Sequence, residues 1–152
     1  MKVFLTGATG FIGRALVLAL LQKGHSVAAW VRCPAAARAQ LGKDVELLPL
    51  LPREDAGLDE VLEQCDAVIN LAGEPLFRKR WNRRRKDDFF ESRVSLTARL
   101  VQAMKRSRRP PGVLVSGSAV GYYGDRGQER LHEDDGPGAD FLAELCRSWE
   151  NA

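Results

Sequence analysis

Short apolar runs alternate along the chain with longer segments in which apolar residues recur every three or four positions. The runs are typical of buried strands, and the longer period is typical of helices. The pattern predicts strands over residues 2–5, 26–31, 44–50, 66–73 and 112–118, and helices over 11–23, 58–65, 87–106 and 140–150. Strands that alternate with helices predict an α/β fold, a doubly wound parallel sheet with helices on both faces.

The composition is that of a globular domain. The 152 residues are 45% hydrophobic and 28% charged, which suits one domain with a core. A net charge of +3 does not predict nucleic acid as a partner. No apolar run reaches the length of a membrane span, so no membrane partner is expected.

The cysteines and histidines do not predict a metal site. Cys33, Cys65 and Cys146 are far apart and lack the spacing of metal ligands, and His25 and His132 are isolated. A small and odd number of cysteines is typical of a protein whose thiols stay reduced, so we expect a cytoplasmic location.

The segment "TGATGFIG", which starts at Thr6, places Gly7, Gly10 and Gly13 between a predicted strand and a predicted helix. In such a turn the first glycine permits tight chain reversal, the second lets a diphosphate approach, and the third lets the helix pack closely. The helix start then offers N–H groups to phosphates. This context predicts a Rossmann-like dinucleotide site, although a tight turn without a ligand has the same local sequence.

The end of the second predicted strand favours NADP(H) over NAD(H). An acidic residue there would bind the ribose 2′-hydroxyl, and this chain has Arg32 instead. A guanidinium suits a 2′-phosphate by charge and by its fork of donors. The alternative is that Arg32 is a solvated surface cation.

Four further segments complete a resemblance to a known superfamily. They are "VINLAGEPL", "RRRKDDFFESRVSLTARLVQAM", "SGSAVGYYGD" and "DFLAELCRSWE". With the glycine turn, and in this order, they resemble the extended short-chain dehydrogenases/reductases. The match is closer to an atypical branch of the NAD-dependent epimerase/dehydratase-like proteins, often labelled nucleoside-diphosphate-sugar epimerases.

The resemblance implies positions for the cofactor-binding residues. Gly10, Phe11 and Ile12 would lie beneath the diphosphate, and Arg32 would face the adenosine phosphate. The backbone of Leu71, Ala72 and Gly73 would pass under the cofactor. Arg93 would lie near its phosphates or ribose, with a surface ion pair to Asp87, Asp88 or Glu91 as the alternative.

The usual Tyr-x-x-x-Lys pair of this superfamily is absent. When the glutamate that normally follows is aligned with Glu150, Leu142 and Cys146 occupy the Tyr and Lys positions. Neither can move a proton in the same way. The resemblance implies Ser118 as the serine that binds the substrate oxygen, with Ser116 as the second candidate.

A tyrosine could replace the missing proton donor. Tyr122 and Tyr123 lie in the same loop as Ser118, and we take Ser118 with Tyr123 as the candidate catalytic pair. Aromatic packing over the edge of the sheet is the alternative for each tyrosine.

A basic run, "FRKRWNRRRKDD", follows the fourth predicted strand. A solvated face explains most such runs. The alternative is that the run binds a ligand. Since the run lies beside the expected cofactor cleft, that ligand would be a phosphorylated substrate rather than nucleic acid.

Residues 1–152 are therefore expected to form one NADP-binding domain that ends before a substrate-binding lobe. The expected function is hydride transfer on an unknown small-molecule carbonyl or sugar nucleotide. The alternative is a non-catalytic NADPH-binding sensor or interaction module, supported by the missing Tyr/Lys pair. An apolar helix face left open would favour a homodimer.

Overall fold

The computed structural model describes residues 1–50, 57–77 and 80–152. The strands are β1 (Lys2–Thr6), β2 (Ser26–Val31), β3 (Val45–Pro49), β4 (Ala67–Asn70) and β5 (Val113–Ser116). The helices are α1 (Phe11–Gln22), α2 (Pro34–Leu41), α3 (Leu58–Leu62), α4 (Arg83–Phe90), α5 (Leu96–Arg106) and α6 (Phe141–Glu150). A π-helical turn, Glu91–Ser95, joins α4 to α5, and a 3₁₀ turn, Val120–Tyr123, follows β5.

The strands form one parallel sheet in the order β3-β2-β1-β4-β5. The chain first proceeds from β1 to β3 in one direction and then returns to the other side of β1 with β4 and β5. This is the Rossmann-like order, in which ligands bind outside the carboxyl ends of the strands where the order reverses. The predicted α/β class with a parallel sheet is confirmed.

The central strands are buried because a parallel sheet covered by helices exposes little of either face. Phe4 and Leu5 of β1, Ala28 and Ala29 of β2, and Val68 of β4 are all fully buried. Continuous apolar runs, rather than alternation, were therefore the correct signal for these strands.

The chain divides into two compact units. The first is Met1–Ala72 with Arg99–Ser116, and it contains the whole sheet. The second is Gly73–Ala98 with Gly117–Ala152. In the second unit the rings of Trp81 and Phe89 contact the ring of Phe141, with centroid distances of 5.5 Å and 6.5 Å respectively.

Side-chain caps fix where two helices of the second unit begin. The Asn82 side chain accepts a hydrogen bond from the Arg85 N–H at the start of α4. The Asp140 side chain does the same for the Ala143 N–H at the start of α6. Each bond satisfies one amide that has no partner within its helix.

Several observed elements differ from the predicted ones. Residues 87–106 are not one α-helix, because the π-helical turn interrupts them. Helix α2 was not predicted, because its alanine-rich sequence has no apolar stripe, although Pro34 at its first turn is a typical start signal. In α1 the buried residues are Gly13 and Val17, while the apolar Phe11 and Leu18 are exposed.

Within the described ranges, none of the helices combines the length and apolar character needed to cross a membrane.

Candidate functional site

The glycine turn between β1 and α1 leaves no room for side chains. Gly7 has a φ of +70°, and a Cβ there would lie 2.5 Å from the Leu71 carbonyl oxygen. A Cβ on Gly13 would overlap the Gly7 carbonyl oxygen and the backbone of Ala8. The turn therefore needs glycine at both positions, at Gly7 for its left-handed conformation and at Gly13 for close packing.

The start of α1 is bare. Gly10 is its N-cap and offers no side-chain hydrogen bond, and the first turn holds no acidic residue. Gly10, Phe11 and Ile12 are exposed, and the Gly10 N–H donates to the Gly7 carbonyl oxygen at 2.9 Å. Free N–H groups at the positive end of a twelve-residue helix suit a diphosphate. The residues present thus fit the phosphates of a dinucleotide.

A side chain of β1 holds the backbone that follows β4 by hydrogen bonds. The Thr6 hydroxyl oxygen accepts hydrogen bonds from the N–H groups of Leu71 and Ala72, each at 3.1 Å. Leu71 and Ala72 are therefore held at the carboxyl end of the sheet, beside the glycine turn that Leu71 contacts.

Arg32 directly follows β2 and is exposed at the same end of the sheet. Because β2 is the neighbour of β1, Arg32 lies one strand away from the glycine turn, at the same carboxyl end of the sheet.

Asn70 was given no role in the site by the sequence reasoning, and Ser116 was named only as the second candidate for the substrate-binding serine. Asn70 is fully buried at the end of β4, and it donates to the Ser116 hydroxyl oxygen at 3.1 Å. A polar last residue on each of β1, β4 and β5 was the signal that could have revealed them.

Arg93 lies in the π-helical turn of the second unit and is held on several sides. Its Nη1 donates to the Glu74 carbonyl oxygen at 3.1 Å, and its guanidinium lies 5.4 Å from the centroid of the Trp149 ring. Burial lowers the pKa of Arg93, while Cys146 and Glu74 act in the opposite direction. Among the described residues, its hydrogen bonds thus run to the Glu74 carbonyl oxygen and the Ser92 hydroxyl, and not to Asp87, Asp88 or Glu91.

Gly73 is explained by Arg93. A Cβ at Gly73 would lie 2.9 Å from the Arg93 Cζ, so any other residue would require the guanidinium to shift away from this backbone. The pairing of Gly73 with Arg93 was not expected from the sequence, since 20 positions separate them.

Ser118 and Glu150 form a hydrogen-bonded pair. Both are exposed, and the Ser118 hydroxyl donates to the Glu150 carboxylate. Glu150 lies at the end of α6, the helix that carries Leu142 and Cys146 at the usual Tyr and Lys positions.

Cys146 is a buried, neutral thiol. Burial raises its pKa, with Glu150 acting in the same direction and Arg93 opposing. Its surroundings therefore favour the protonated form, which cannot supply the fixed positive charge of a lysine.

The tyrosine rings of the 3₁₀ turn pack against each other. The centroids of Tyr122 and Tyr123 are 5.2 Å apart in an edge-to-face arrangement, and both side chains are half-buried. Tyr123 is in the second unit, as is Ser118.

The basic run is not uniform. Arg85 pairs with the Glu74 carboxylate at 3.1 Å and donates to the Pro75 carbonyl oxygen at 2.9 Å, so it is a structural cation. Arg80, Arg83 and Arg84 are exposed. Arg78 and Lys79 lie outside the described residues.

The predicted site residues are divided between the two compact units. The set in the first unit is Gly7, Gly10, Phe11, Ile12, Gly13, Arg32, Leu71 and Ala72. The set in the second unit is Gly73, Arg93, Ser118 and Tyr123.

Comparison with known families matches nearly the whole chain. The model described as the NAD dependent epimerase/dehydratase family matches residues 3–140. The "Epimerase family protein SDR39U1 homolog, chloroplastic" of Arabidopsis thaliana is 36% identical, with 99% of this chain and 43% of that protein covered. The chain spans about half the length of the curated relatives it matches.

Two solved structures have the same fold. The crystal structure of the human epimerase family protein SDR39U1 (isoform 2) with NADPH gives a TM-score of 0.78 at 30% identity, and the match covers 99% of this chain and 48% of that chain. A mutant of UDP-glucuronic acid 4-epimerase from Bacillus cereus, in complex with UDP-4-deoxy-4-fluoro-glucuronic acid and NAD, also gives 0.78, at 25% identity. That match covers 99% of this chain and 50% of the epimerase chain.

Proposed function

Because the chain belongs to the NAD-dependent epimerase/dehydratase family, we propose that it is the cofactor-binding part of an NADP(H)-dependent reductase or epimerase. The observation that carries the proposal is the start of α1 after the glycine turn, where the positive end of the helix has neither a side-chain cap nor an acidic residue. Residues 1–152 would form its nucleotide-binding domain.

Arg32 supports the preference for the phosphorylated cofactor. Its guanidinium follows β2 at the carboxyl end of the sheet, where the adenosine half of a dinucleotide lies in this fold. The human relative, 30% identical to this chain, was solved with NADPH.

We propose Arg93 as a further cofactor-binding cation. Its contacts with the Glu74 carbonyl oxygen and the Trp149 ring hold the guanidinium in one orientation. A planar cation held in this way suits a phosphate or ribose oxygen without a large loss of side-chain entropy on binding.

Ser118 and Tyr123 would act on the substrate. Since Ser118 already donates its proton to Glu150, its remaining lone pairs suit a substrate hydroxyl rather than a carbonyl. In the reducing direction Tyr123 would donate the proton that turns the carbonyl oxygen into this hydroxyl, and the phenolate would regain a proton from solvent. Nicotinamide, when bound, supplies the hydride chemistry. A sugar nucleotide carries such hydroxyl groups, and the Bacillus cereus epimerase was solved with one.

The second candidate function is a non-catalytic NADPH sensor or interaction module. The observation that favours it is α6, where the half-buried Leu142 and the buried, protonated Cys146 stand at the usual Tyr and Lys positions. The mutual packing of Tyr122 and Tyr123 is consistent with this alternative.

Calorimetry tests the proposal directly. The purified protein should bind NADPH and NADP⁺, and more weakly NADH. The absence of heat with all of these dinucleotides would overturn it. With binding established, formation of NADPH from NADP⁺ and UDP-sugars by the full-length protein favours the enzyme, whereas binding without turnover favours the sensor.

A further inference from the structure

Three polar side chains form a row across the sheet at the carboxyl ends of β1, β4 and β5. Thr6 lies opposite Asn70, and Asn70 lies opposite Ser116. Thr6 and Asn70 are buried, whereas Ser116 is exposed at the end of the row. All three belong to the first unit.

The hydrogen bonds in this row run in one direction. Thr6 Oγ1 accepts from the N–H groups of Leu71 and Ala72, which occupies its two lone pairs. Its proton is therefore directed to Asn70 Oδ1, at 2.6 Å. With Oδ1 fixed toward Thr6, the Asn70 Nδ2 faces Ser116 Oγ at 3.1 Å.

The direction of the row decides what Ser116 can do. An amide nitrogen can only donate, so Ser116 Oγ accepts from Asn70 and keeps its own proton for another partner. In the part of the chain that the structure describes, the Ser116 hydroxyl donates to no protein group. The row therefore presents a hydrogen-bond donor outward from the end of β5.

We propose that Ser116 donates this hydrogen bond to the carbonyl oxygen of the nicotinamide carboxamide and so positions the ring. The inference rests on the proposed function, because it needs a bound nicotinamide dinucleotide. Ser116 would be a binding and positioning residue of the cofactor site.

The topology places Ser116 on the correct side of the sheet for this role. The strand order reverses next to β1, and the two halves of a dinucleotide lie on opposite sides of that point. Arg32 follows β2 on one side. Ser116 ends β5 on the other side, two strands away from β1, where the nicotinamide half falls.

The two serines of "SGS" have opposite hydrogen-bonding roles. Ser118 donates to the Glu150 carboxylate, so it presents an acceptor. Ser116 accepts from Asn70, so it presents a donor. A carboxamide oxygen, which can only accept, matches Ser116 and not Ser118.

Paired calorimetric titrations test the assignment. The ligands are NADP⁺, NADPH and 2′-phospho-ADP-ribose, which lacks the nicotinamide ring. Ser116→Ala should weaken both dinucleotides by about two- to tenfold, the range of one neutral hydrogen bond. It should leave the affinity for 2′-phospho-ADP-ribose unchanged.

Two variants serve as controls. Ser116→Thr keeps the hydroxyl on a residue that suits a strand and should retain the wild-type affinities. Ser26→Ala removes an exposed hydroxyl at the amino end of β2, away from the proposed site, and should change nothing. Urea unfolding of each variant verifies that the protein remains folded at the titration temperature.

A cofactor analogue and a second variant test the polarity of the row. Thionicotinamide NADP⁺ carries a sulfur that is a poor hydrogen-bond acceptor. Ser116→Ala should therefore reduce the affinity for this analogue less than it reduces the affinity for NADP⁺. Asn70→Asp replaces the donating nitrogen with an acceptor, so the Ser116 hydroxyl would donate its proton to Asp at position 70 instead of to a ligand. This variant should therefore bind NADP⁺ more weakly although the Ser116 hydroxyl is still present.

The outcomes separate this inference from the proposed function. If the wild type binds no dinucleotide, the proposed function fails. If it binds NADP⁺ but Ser116→Ala leaves that affinity unchanged, the inference alone is overturned. Equal weakening of 2′-phospho-ADP-ribose also overturns it, because the loss would then not depend on the nicotinamide.

Discussion

At the scale of single residues, the arginines differ in their exposure and in the groups that they contact. Arg85 is paired with Glu74 and serves the second unit itself, whereas Arg32 is exposed at the carboxyl end of the sheet. The basic residues of a sequence cannot be sorted in this way from charge alone, because the partner of Arg85 lies 11 positions away. Among the described arginines discussed above, Arg85 is thus held by a partner in its own unit, while the cofactor roles of Arg32 and Arg93 stay predictions.

Arg32→Asp should weaken NADPH far more than NADH. Loss of a charge-assisted hydrogen bond to a phosphate is expected to cost about 1.5–3 kcal/mol, or roughly ten- to a hundredfold in affinity. Calorimetry with both cofactors measures the ratio. Arg106→Asp, which makes the same charge change at the end of α5, is the matched control, and an equal loss for both cofactors would remove the preference for NADP(H).

Cys65 should make stability depend on pH in the alkaline range. Burial raises the pKa of its thiol from 9.0 to about 11, with Lys2 opposing. Between these values the unfolded chain loses the thiol proton and the folded chain keeps it. The free energy of unfolding should therefore fall as the pH rises from 9 to 11, by no more than about 1.4 kcal/mol per pH unit from this group.

Urea unfolding of the wild type and of Cys65→Ala at pH 8, 9, 10 and 11 isolates this effect. The difference in unfolding free energy between them should shrink as the pH rises. Cys33→Ala, at an exposed cysteine, should run parallel to the wild type. A constant difference between wild type and Cys65→Ala would contradict the assigned pKa.

At the scale of elements, the strands were predicted better than the helices. Each predicted strand exists, because short apolar runs bounded by turns have few alternative structures. The prediction of one α-helix over residues 87–106 was wrong at Glu91–Ser95. There the period of apolar residues continues, but the backbone widens into a π-helical turn. Such turns often occur at functional sites, and this one carries Arg93.

Gly13→Ala should disrupt the contact of α1 with the turn after β1. Its Cβ would overlap backbone atoms of Gly7 and Ala8, which cannot move as a side chain would. We expect a loss of about 1–3 kcal/mol in the free energy of unfolding, measured by urea titration, together with weaker NADPH binding.

Gly136→Ala is the control for this change, since a Cβ there meets nothing within 4 Å. It should alter the free energy of unfolding by less than about 0.5 kcal/mol. Equal stability of the two variants would contradict the close packing described for Gly13.

At the scale of the whole molecule, the sheet ends in an apolar edge strand. Val113 and Val115 of β5 are each 53% exposed, and β5 is the last strand in the sheet order. An exposed apolar edge strand can pair with another chain. The homodimer expected from the sequence therefore has a candidate surface here, in place of a helix face.

The 152-residue chain should self-associate in a concentration-dependent way through this edge, as measured by sedimentation velocity. Val115→Lys should shift the distribution toward the monomer, because a lysine on an edge strand blocks pairing. Leu18→Lys changes a comparably exposed residue on α1 and should leave association unchanged. A monomer at every concentration would contradict the proposed edge contact.

The sequence by itself determined the strand–helix alternation, the parallel sheet and the glycine turn at Gly7, Gly10 and Gly13. These follow from local periodicity and from backbone conformations that few residues accept. Only the tertiary structure decided that Gly73 makes room for Arg93, and that Thr6, Asn70 and Ser116 form one directed row. The physical reason is separation along the chain: the hydrogen bonds of that row join residues 64 and 46 positions apart, and strand pairing alone brings them together.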